Sequence, residues 1–220
     1  MLGKILKVLI GILFIPIVIS STKAFFQSLQ DLDFLNVNLF LLIGGFFAYP
    51  IFHVVFFRPM YIYALGHETV HVLATWLCGG KVMSFHISQE GGKVATTKTN
   101  LFIRLSPYFV PIHAIVLFLL YWILSRFFRM STISNEFVFL IGFTMSFHLI
   151  MTIEVMKMQQ PDILKTGYLF SVLLIYVVNI FIALLVLSFI SRDISFISFV
   201  KKTLILSKDI YLNIFYKLLI

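Results

Sequence analysis

Long apolar segments, separated by short stretches of polar and charged residues, run through most of this 220-residue chain. An α-helix needs about 20 apolar residues to cross the hydrocarbon core of a bilayer. Six segments come close to that length, namely residues 5–20, 35–57, 59–78, 101–124, 133–158 and 167–190. The pattern therefore predicts an all-α polytopic membrane protein with about six transmembrane helices.

A different pattern separates the third and fourth apolar segments. Residues 81–88 alternate between two faces, with Met83, Phe85 and Ile87 on one of them. Glu90 and the following Gly91-Gly92 pair indicate a turn, and residues 94–99 are rich in β-branched side chains. This combination predicts a small β-hairpin inserted at about residues 80–100, with an ordinary surface loop as the alternative.

The last 30 residues, 191–220, carry charges too often for a seventh span. Apolar side chains nevertheless recur there at helical spacing, at Phe196, Val200, Leu204 and Tyr211. We expect a basic amphipathic helix that lies at the membrane surface on anionic lipid headgroups. Residues 1–190 would then form one membrane-embedded domain, and residues 191–220 its interfacial tail.

Composition supports a membrane protein and excludes several other classes. Hydrophobic residues make up 60% of the chain, the mean hydropathy is +1.04 and only 12% of residues are charged, which excludes an ordinary soluble domain. The net charge is +8, and the basic residues lie between apolar segments and in the tail. This distribution favours binding to a membrane surface over binding to a nucleic acid. The single cysteine, Cys78, excludes an intrachain disulfide and a cysteine-based zinc cluster. We expect an integral, multi-pass protein of a bacterial cytoplasmic membrane.

Residues 66–71, within the third apolar segment, are Gly-His-Glu-Thr-Val-His, a His-Glu-x-x-His motif. On a helix, His67 and His71 lie on one face, about 6 Å apart at Cβ, which suits two ligands of one zinc ion. Glu68 is rotated by about 100° from His67, so it can act on a water at the metal without binding the metal. A glutamate in hydrocarbon costs on the order of 2–3 kcal/mol, which favours a functional role. The motif predicts one Zn²⁺ per chain, with Glu68 as the catalytic residue.

A catalytic zinc needs a third protein ligand, and spacing alone leaves its identity open. Glu90 precedes two glycines and is better explained as a turn residue. Glu154 and His148 lie on the fifth predicted span, and Asp162 lies at the start of the sixth, where it could instead cap a helix. A second donor to the oxyanion is also needed, and Gln160 and His148 are the candidates.

Three features together resemble the site-2 proteases, and within them the compact branch of intramembrane zinc metallopeptidases. They are the motif at residues 66–71 in an apolar helix, the hairpin with Gly91-Gly92 after it, and Pro161-Asp162 at a later helix start. The resemblance covers residues 59–179. It implies that Asp162 is the third zinc ligand, beside His67 and His71.

The chain departs from the pattern of that family at three places. Ile163 follows the aspartate where glycine is common, Gln159 and Gln160 stand where the family has an asparagine, and Ser106-Pro107 replaces Gly-Pro. The departures concern the third ligand and the oxyanion donor, and the His-Glu-x-x-His motif is intact.

The predicted function is hydrolysis of peptide bonds in membrane-embedded or membrane-adjacent protein substrates, by a zinc metalloendopeptidase of the site-2 protease type. The hairpin edge could hold an unwound substrate by strand addition, and a regulatory membrane partner is left open. Two alternatives remain. One is a catalytically silent membrane scaffold, and the other is a divalent-metal transporter using His67, His71, His113 and His148.

Overall fold

The computed structural model describes residues 2–30, 32–88, 91–128, 134–158 and 160–219. The described helices are α1 (Leu2–Leu29), α2 (Val37–Val55), α3 (Met60–Leu77), α4 (Leu101–Leu105), α5 (Ile112–Phe127), α6 (Asn135–Lys157), α7 (Pro161–Thr166), α8 (Tyr168–Ile190) and α9 (Phe196–Leu219). A two-stranded sheet, β1 (Val82–Ser88) and β2 (Gly91–Thr96), follows α3, and a 3-10 turn at Ser106–Tyr108 joins α4 towards α5. The predicted helical architecture with one small β-hairpin is confirmed.

Several helices are long and apolar enough to cross a membrane. Among the described residues these are Ile5–Leu29, Val37–Val55, Asn135–Lys157 and Tyr168–Ile190, so four in all, or five if the bent pair Leu101–Tyr108 and Ile112–Phe127 is one span. The predicted count of six is not confirmed. Helix α3 forms where the third span was predicted but is not in this set, because the polar residues of the His-Glu-x-x-His motif lower its hydropathy.

The fourth predicted span is interrupted, as its two prolines indicate. The axes of its two halves differ by 73°. Pro107 lies in the 3-10 turn and Pro111 immediately precedes α5, where neither can donate a backbone hydrogen bond. Asn100 caps α4, since its side chain accepts a hydrogen bond of 2.8 Å from the backbone N–H of Ile103. The segment therefore forms two helical pieces, Leu101–Tyr108 and Ile112–Phe127, and not one continuous helix.

The hairpin is antiparallel, and its pairing runs from Val82 opposite Thr96 to Ser88 opposite Gly91, with an irregularity between Val82 and Ser84. One boundary of the prediction is wrong: Gly91 and Gly92 belong to β2 and not to the turn. Glu90, which was predicted to lie in the turn, is outside the described residues.

The chain divides into two compact units, of which the second contains the motif helix. In that unit, residues 40–163, α3 packs against both strands, α4, the 3-10 turn, α5 and α6. Helices α2 and α6 also approach closely, because an added Cβ at Gly45 would lie 1.9 Å from the carbonyl oxygen of Phe139. Close backbone contact at a small residue is a common means of helix association in membranes.

The first unit comprises residues 1–39 and 164–220, where α1 packs against α8 and α9. Its apolar core contains Ala24, Leu184, Ile194 and Phe199. The tail is helical, as predicted, and its buried residues are Phe199, Thr203 and Ser207. This buried row differs from the predicted apolar row at Phe196, Val200, Leu204 and Tyr211, because packing against α1 selects another face of the helix. Its position on anionic lipid stays a prediction.

Candidate metal centre

Helix α3 directs the two histidines of the motif to one side. His67 and His71 are one helical turn apart, and their ring centroids are 5.0 Å apart with the rings 76° from coplanar. His67 is buried, with 8% of its surface exposed. The spacing of the motif thus produces the paired imidazoles that its sequence predicts.

Asp162 joins this pair from a distant part of the chain. Pro161 begins α7, and Asp162 lies inside the first turn of that helix, beyond the cap position proposed as its alternative role. One Asp162 oxygen, Oδ2, lies 3.4 Å from Nε2 of His71. One ligand atom from each of His67, His71 and Asp162 falls within 4.8 Å of the others.

These distances suit a tetrahedral metal. Nitrogen and oxygen ligands lie about 2.0–2.1 Å from zinc, so two of them on adjacent corners of a tetrahedron are about 3.3 Å apart. The separation of 3.4 Å between His71 and Asp162 is close to that value and longer than a strong charge-assisted hydrogen bond of about 2.7–2.9 Å. The spacing of His71 and Asp162 is thus compatible with two ligands of one cation.

His71 is also oriented for this purpose by the backbone. Its Nδ1 lies 2.8 Å from the carbonyl oxygen of Ile103, so that nitrogen can donate while Nε2 remains directed towards Asp162. A backbone carbonyl on the second ring nitrogen is typical of metal-binding histidines. Asn100, by capping α4, holds the turn that presents this carbonyl.

The carboxylate of Asp162 is held in its ionised form. Burial alone would raise the pKa of Asp162, but the hydrogen bond and charge of His71 outweigh burial and hold that pKa below its ordinary value. The ionised carboxylate is the form that a metal ligand needs.

His67 lacks such a hydrogen bond. Its buried Nδ1 has no hydrogen-bond partner among the described residues, and neither ring nitrogen accepts or donates one there. Leaving a buried polar group unpaired costs about 1–3 kcal/mol. A metal on one of these nitrogens would supply a partner, so the donor set of His67, His71 and Asp162 fits a zinc ion.

Glu68 lies beside the ligands and under the hairpin. It is 7% exposed and accepts no hydrogen bond from any residue in the described part of the chain. Strand β2 covers it at Gly92, where an added Cβ would lie 2.3 Å from Cγ and 2.9 Å from Oε1 of Glu68. Only a glycine allows the strand to approach this closely. The carboxylate is thus placed near the candidate ligands His71 and Asp162 and between α3 and the sheet.

The remaining candidates are arranged differently. His148 is 2% exposed and lies within electrostatic range of His67, which keeps it in the surroundings of the site. Glu154 instead lies 3.2 Å from Nε2 of His53 and 3.7 Å from Arg58, so it is not part of the three-ligand group. Gln160 is half-buried and has no hydrogen bond to a described residue, so its predicted role as an oxyanion donor gains no contact here.

Sequence reasoning missed two neighbours of the site. Tyr108 packs edge-on against His67, with ring centroids 4.9 Å apart, and Ile103 supplies the carbonyl that binds His71. For Tyr108, the only sign in the sequence was its position directly after Pro107. Ile103 acts through its backbone carbonyl, so its side chain gives no sign of this role.

Comparisons of the chain with protein-family models, with curated proteins and with solved structures found no match. The resemblance to the site-2 proteases therefore stays a prediction from the motifs.

Proposed function

We propose that this protein is an intramembrane zinc metalloendopeptidase that hydrolyses peptide bonds of membrane-embedded or membrane-adjacent proteins. The observation that carries the proposal is the convergence of His67, His71 and Asp162 within 4.8 Å, with Glu68 buried beside them. Three ligands with a neighbouring carboxylate form the minimal set for metal-assisted hydrolysis.

Metal binding and proton transfer would be carried out by different residues of the chain. His67, His71 and Asp162 would hold one Zn²⁺, which when bound supplies a Lewis acid and lowers the pKa of a water towards about 7. Glu68 would accept a proton from the water while the water oxygen bonds to the carbonyl carbon of the peptide. It then delivers that proton to the leaving nitrogen as the carbon–nitrogen bond breaks. His148 is a candidate for stabilising the oxyanion, because it lies in electrostatic range of His67.

The hairpin gives a reason for a peptide substrate. A two-stranded sheet has a free edge on each strand, and an extended peptide can pair with such an edge. Since β2 contacts Glu68 at Gly92, a peptide paired to this sheet would lie near the carboxylate that acts on it. The apolar helices supply the membrane setting, which we place in a bacterial cytoplasmic membrane, with α9 on anionic headgroups.

The alternative of a metal transporter gains no support from the placement of the other histidines. Nε2 of His113 lies 3.1 Å from the carbonyl oxygen of Ile62, to which it can donate a hydrogen bond, and the His113 ring packs against Phe147. Neither it nor His148 belongs to the three-ligand group found among the described residues. A catalytically silent scaffold is disfavoured by the intact Glu68.

Loss of one histidine tests the metal site directly. We expect purified His67→Ala protein to lose bound zinc, because two remaining ligands hold the ion poorly, and to lose cleavage of a single-span substrate with it. Elemental analysis per chain measures the metal. As a control, His113→Ala should keep a full equivalent, since His113 is outside the ligand group. A full equivalent of zinc in His67→Ala would exclude the proposed site.

Gly92→Ala should separate catalysis from metal binding. The added methyl group would overlap Glu68, so the carboxylate or the strand must shift, while the three ligands are untouched. A displacement of about 1 Å in a catalytic group can reduce turnover about 100-fold, and we expect an effect of that size with zinc content unchanged. The control is Gly91→Ala, which strains a backbone with φ of +141° but places its Cβ in open space. Equal turnover in the Gly92 and Gly91 variants would show that contact with Glu68 is unimportant.

Proline in β1 tests the role of the sheet edge. We expect Phe85→Pro and Ile87→Pro to keep zinc and to lose cleavage, because each removes a backbone donor from the strand. Alternate residues of a strand direct their N–H groups to opposite edges. His86→Pro therefore removes an N–H on the edge opposite to those of Phe85 and Ile87, and it distinguishes pairing with β2 from pairing with substrate. Zinc content and turnover of all three variants are compared. Wild-type turnover in both Phe85→Pro and Ile87→Pro would reject a substrate-holding hairpin.

A further inference from the structure

The two histidines of the site are oriented by different means. His71 has its second ring nitrogen at 2.8 Å from the carbonyl of Ile103, whereas His67 makes no hydrogen bond with a described residue. A metal ligand that lacks a supporting hydrogen bond must be oriented by packing, since rotation about its side-chain bonds would otherwise move the nitrogen away from the metal.

Aromatic rings supply that packing around His67. Tyr108 meets it edge-on, with centroids 4.9 Å apart and planes 83° from parallel, and Tyr63 lies 5.7 Å away at 44°. An edge-to-face pair at this distance is a favoured arrangement, because the positive edge of one ring meets the negative face of the other. The contact with Tyr108 is thus the closer and more nearly perpendicular of the two, and Tyr108 is the stronger candidate for orienting the imidazole.

Tyr108 is itself firmly placed. It is fully buried and belongs to the 3-10 turn between the two halves of the bent segment, directly after Pro107. A 3-10 turn that packs against α3 brings the ring to the ligand face of that helix. The bend thus contributes to the site, because the 3-10 turn at the bend carries Tyr108 and packs against α3.

We propose that the Tyr108 ring is a positioning residue for the metal, holding His67 in its ligating orientation as the Ile103 carbonyl holds His71. The inference rests on the proposed zinc site and goes beyond it, because it assigns a role to a residue outside the ligand set. The ring, and not its hydroxyl group, performs this function.

Three variants test the proposal through metal binding alone. Tyr108→Phe keeps the ring, Tyr108→Leu removes it, and Phe147→Leu removes a ring of similar burial that packs against Tyr63 and His113 but has no ring contact with His67. Zinc affinity is measured by competition with a chelator on purified full-length protein. The absorption spectrum of the Co²⁺-substituted protein reports the geometry of the ligands.

We expect Tyr108→Phe and Phe147→Leu to bind zinc as the wild type does, and Tyr108→Leu to bind it roughly 10–100-fold more weakly, the usual effect of losing support for a ligand. The Co²⁺ spectrum should change in Tyr108→Leu alone. If Tyr108→Leu does not fold, Tyr108→Met, which also lacks the ring, replaces it in both measurements.

Wild-type affinity and spectrum in a folded ring-less variant would overturn the inference. So would equal weakening in Tyr108→Phe, which would assign the effect to the hydroxyl group. Failure of the proposed function is a separate result: wild-type protein that binds zinc and weakens as expected in Tyr108→Leu, yet cleaves nothing, would keep the inference and reject the peptidase.

Discussion

Glu68→Gln is expected to retain a full equivalent of zinc while peptide hydrolysis falls by about 10²–10⁴-fold, the usual effect of losing general acid–base help. Glutamine has nearly the same shape as glutamate and can still form hydrogen bonds, but it cannot accept a proton from water. Glu68 is not one of the three converging ligands, so the metal should stay. The measurement is turnover of candidate single-span substrates in detergent or liposomes, together with zinc content.

The control for this substitution is Glu154→Gln. It makes the same carboxylate-to-amide change in the same compact unit, but at a residue paired with His53 and Arg58. We expect Glu154→Gln to keep most of the activity.

Proteomics of membrane fragments from cells that contain wild type or Glu68→Gln would search for natural substrates. Equal cleavage by wild type and Glu68→Gln, with zinc in both, would remove the case for a peptidase.

Transport and hydrolysis respond differently to the same variant. A transporter with Glu68→Gln would retain much of its zinc flux across a liposome membrane, whereas a peptidase would lose turnover with the metal in place. A silent scaffold would show no difference in substrate fragments. Flux and turnover measured on the same preparation therefore distinguish the three classes.

Asp162→Asn should produce the second large effect, a loss of zinc affinity by more than about 100-fold, beyond the range for a residue that only supports a ligand. The reason is the loss of an anionic oxygen that lies 3.4 Å from Nε2 of His71. A residue that only caps a helix would tolerate the change, since asparagine caps about as well as aspartate. The ligand and capping roles therefore predict opposite results for one substitution.

Chelator competition measures this affinity. Asp193→Asn, at a residue hydrogen-bonded to Ser191 in the other compact unit, makes the same chemical change outside the three-ligand group and should leave zinc affinity unchanged. Near-normal zinc binding and cleavage in Asp162→Asn would return the third ligand to the alternatives Glu154 and His148, of which His148 lies in electrostatic range of His67.

Local patterns determined a large part of this protein. The spacing of His67 and His71 defines one helical face whatever surrounds it, and the alternation of residues 81–88 predicts a strand, because both depend only on neighbours along the chain. Pro107 and Pro111 of the fourth apolar segment are also local features, and its bend lies at these two residues. These elements formed where the sequence placed them, although the Gly91-Gly92 pair entered the strand and the predicted count of spans was not confirmed.

The tertiary structure alone decided what meets at the site. Asp162 reaches His67 and His71 from one segment, and the carbonyl of Ile103 and the ring of Tyr108 reach them from another. No periodicity encodes how those segments pack. Gly92 gains its importance only because β2 crosses Glu68 there. Spacing left the third ligand open among several acids and histidines, because a metal site needs convergence in space, which long-range packing supplies and neighbouring residues do not.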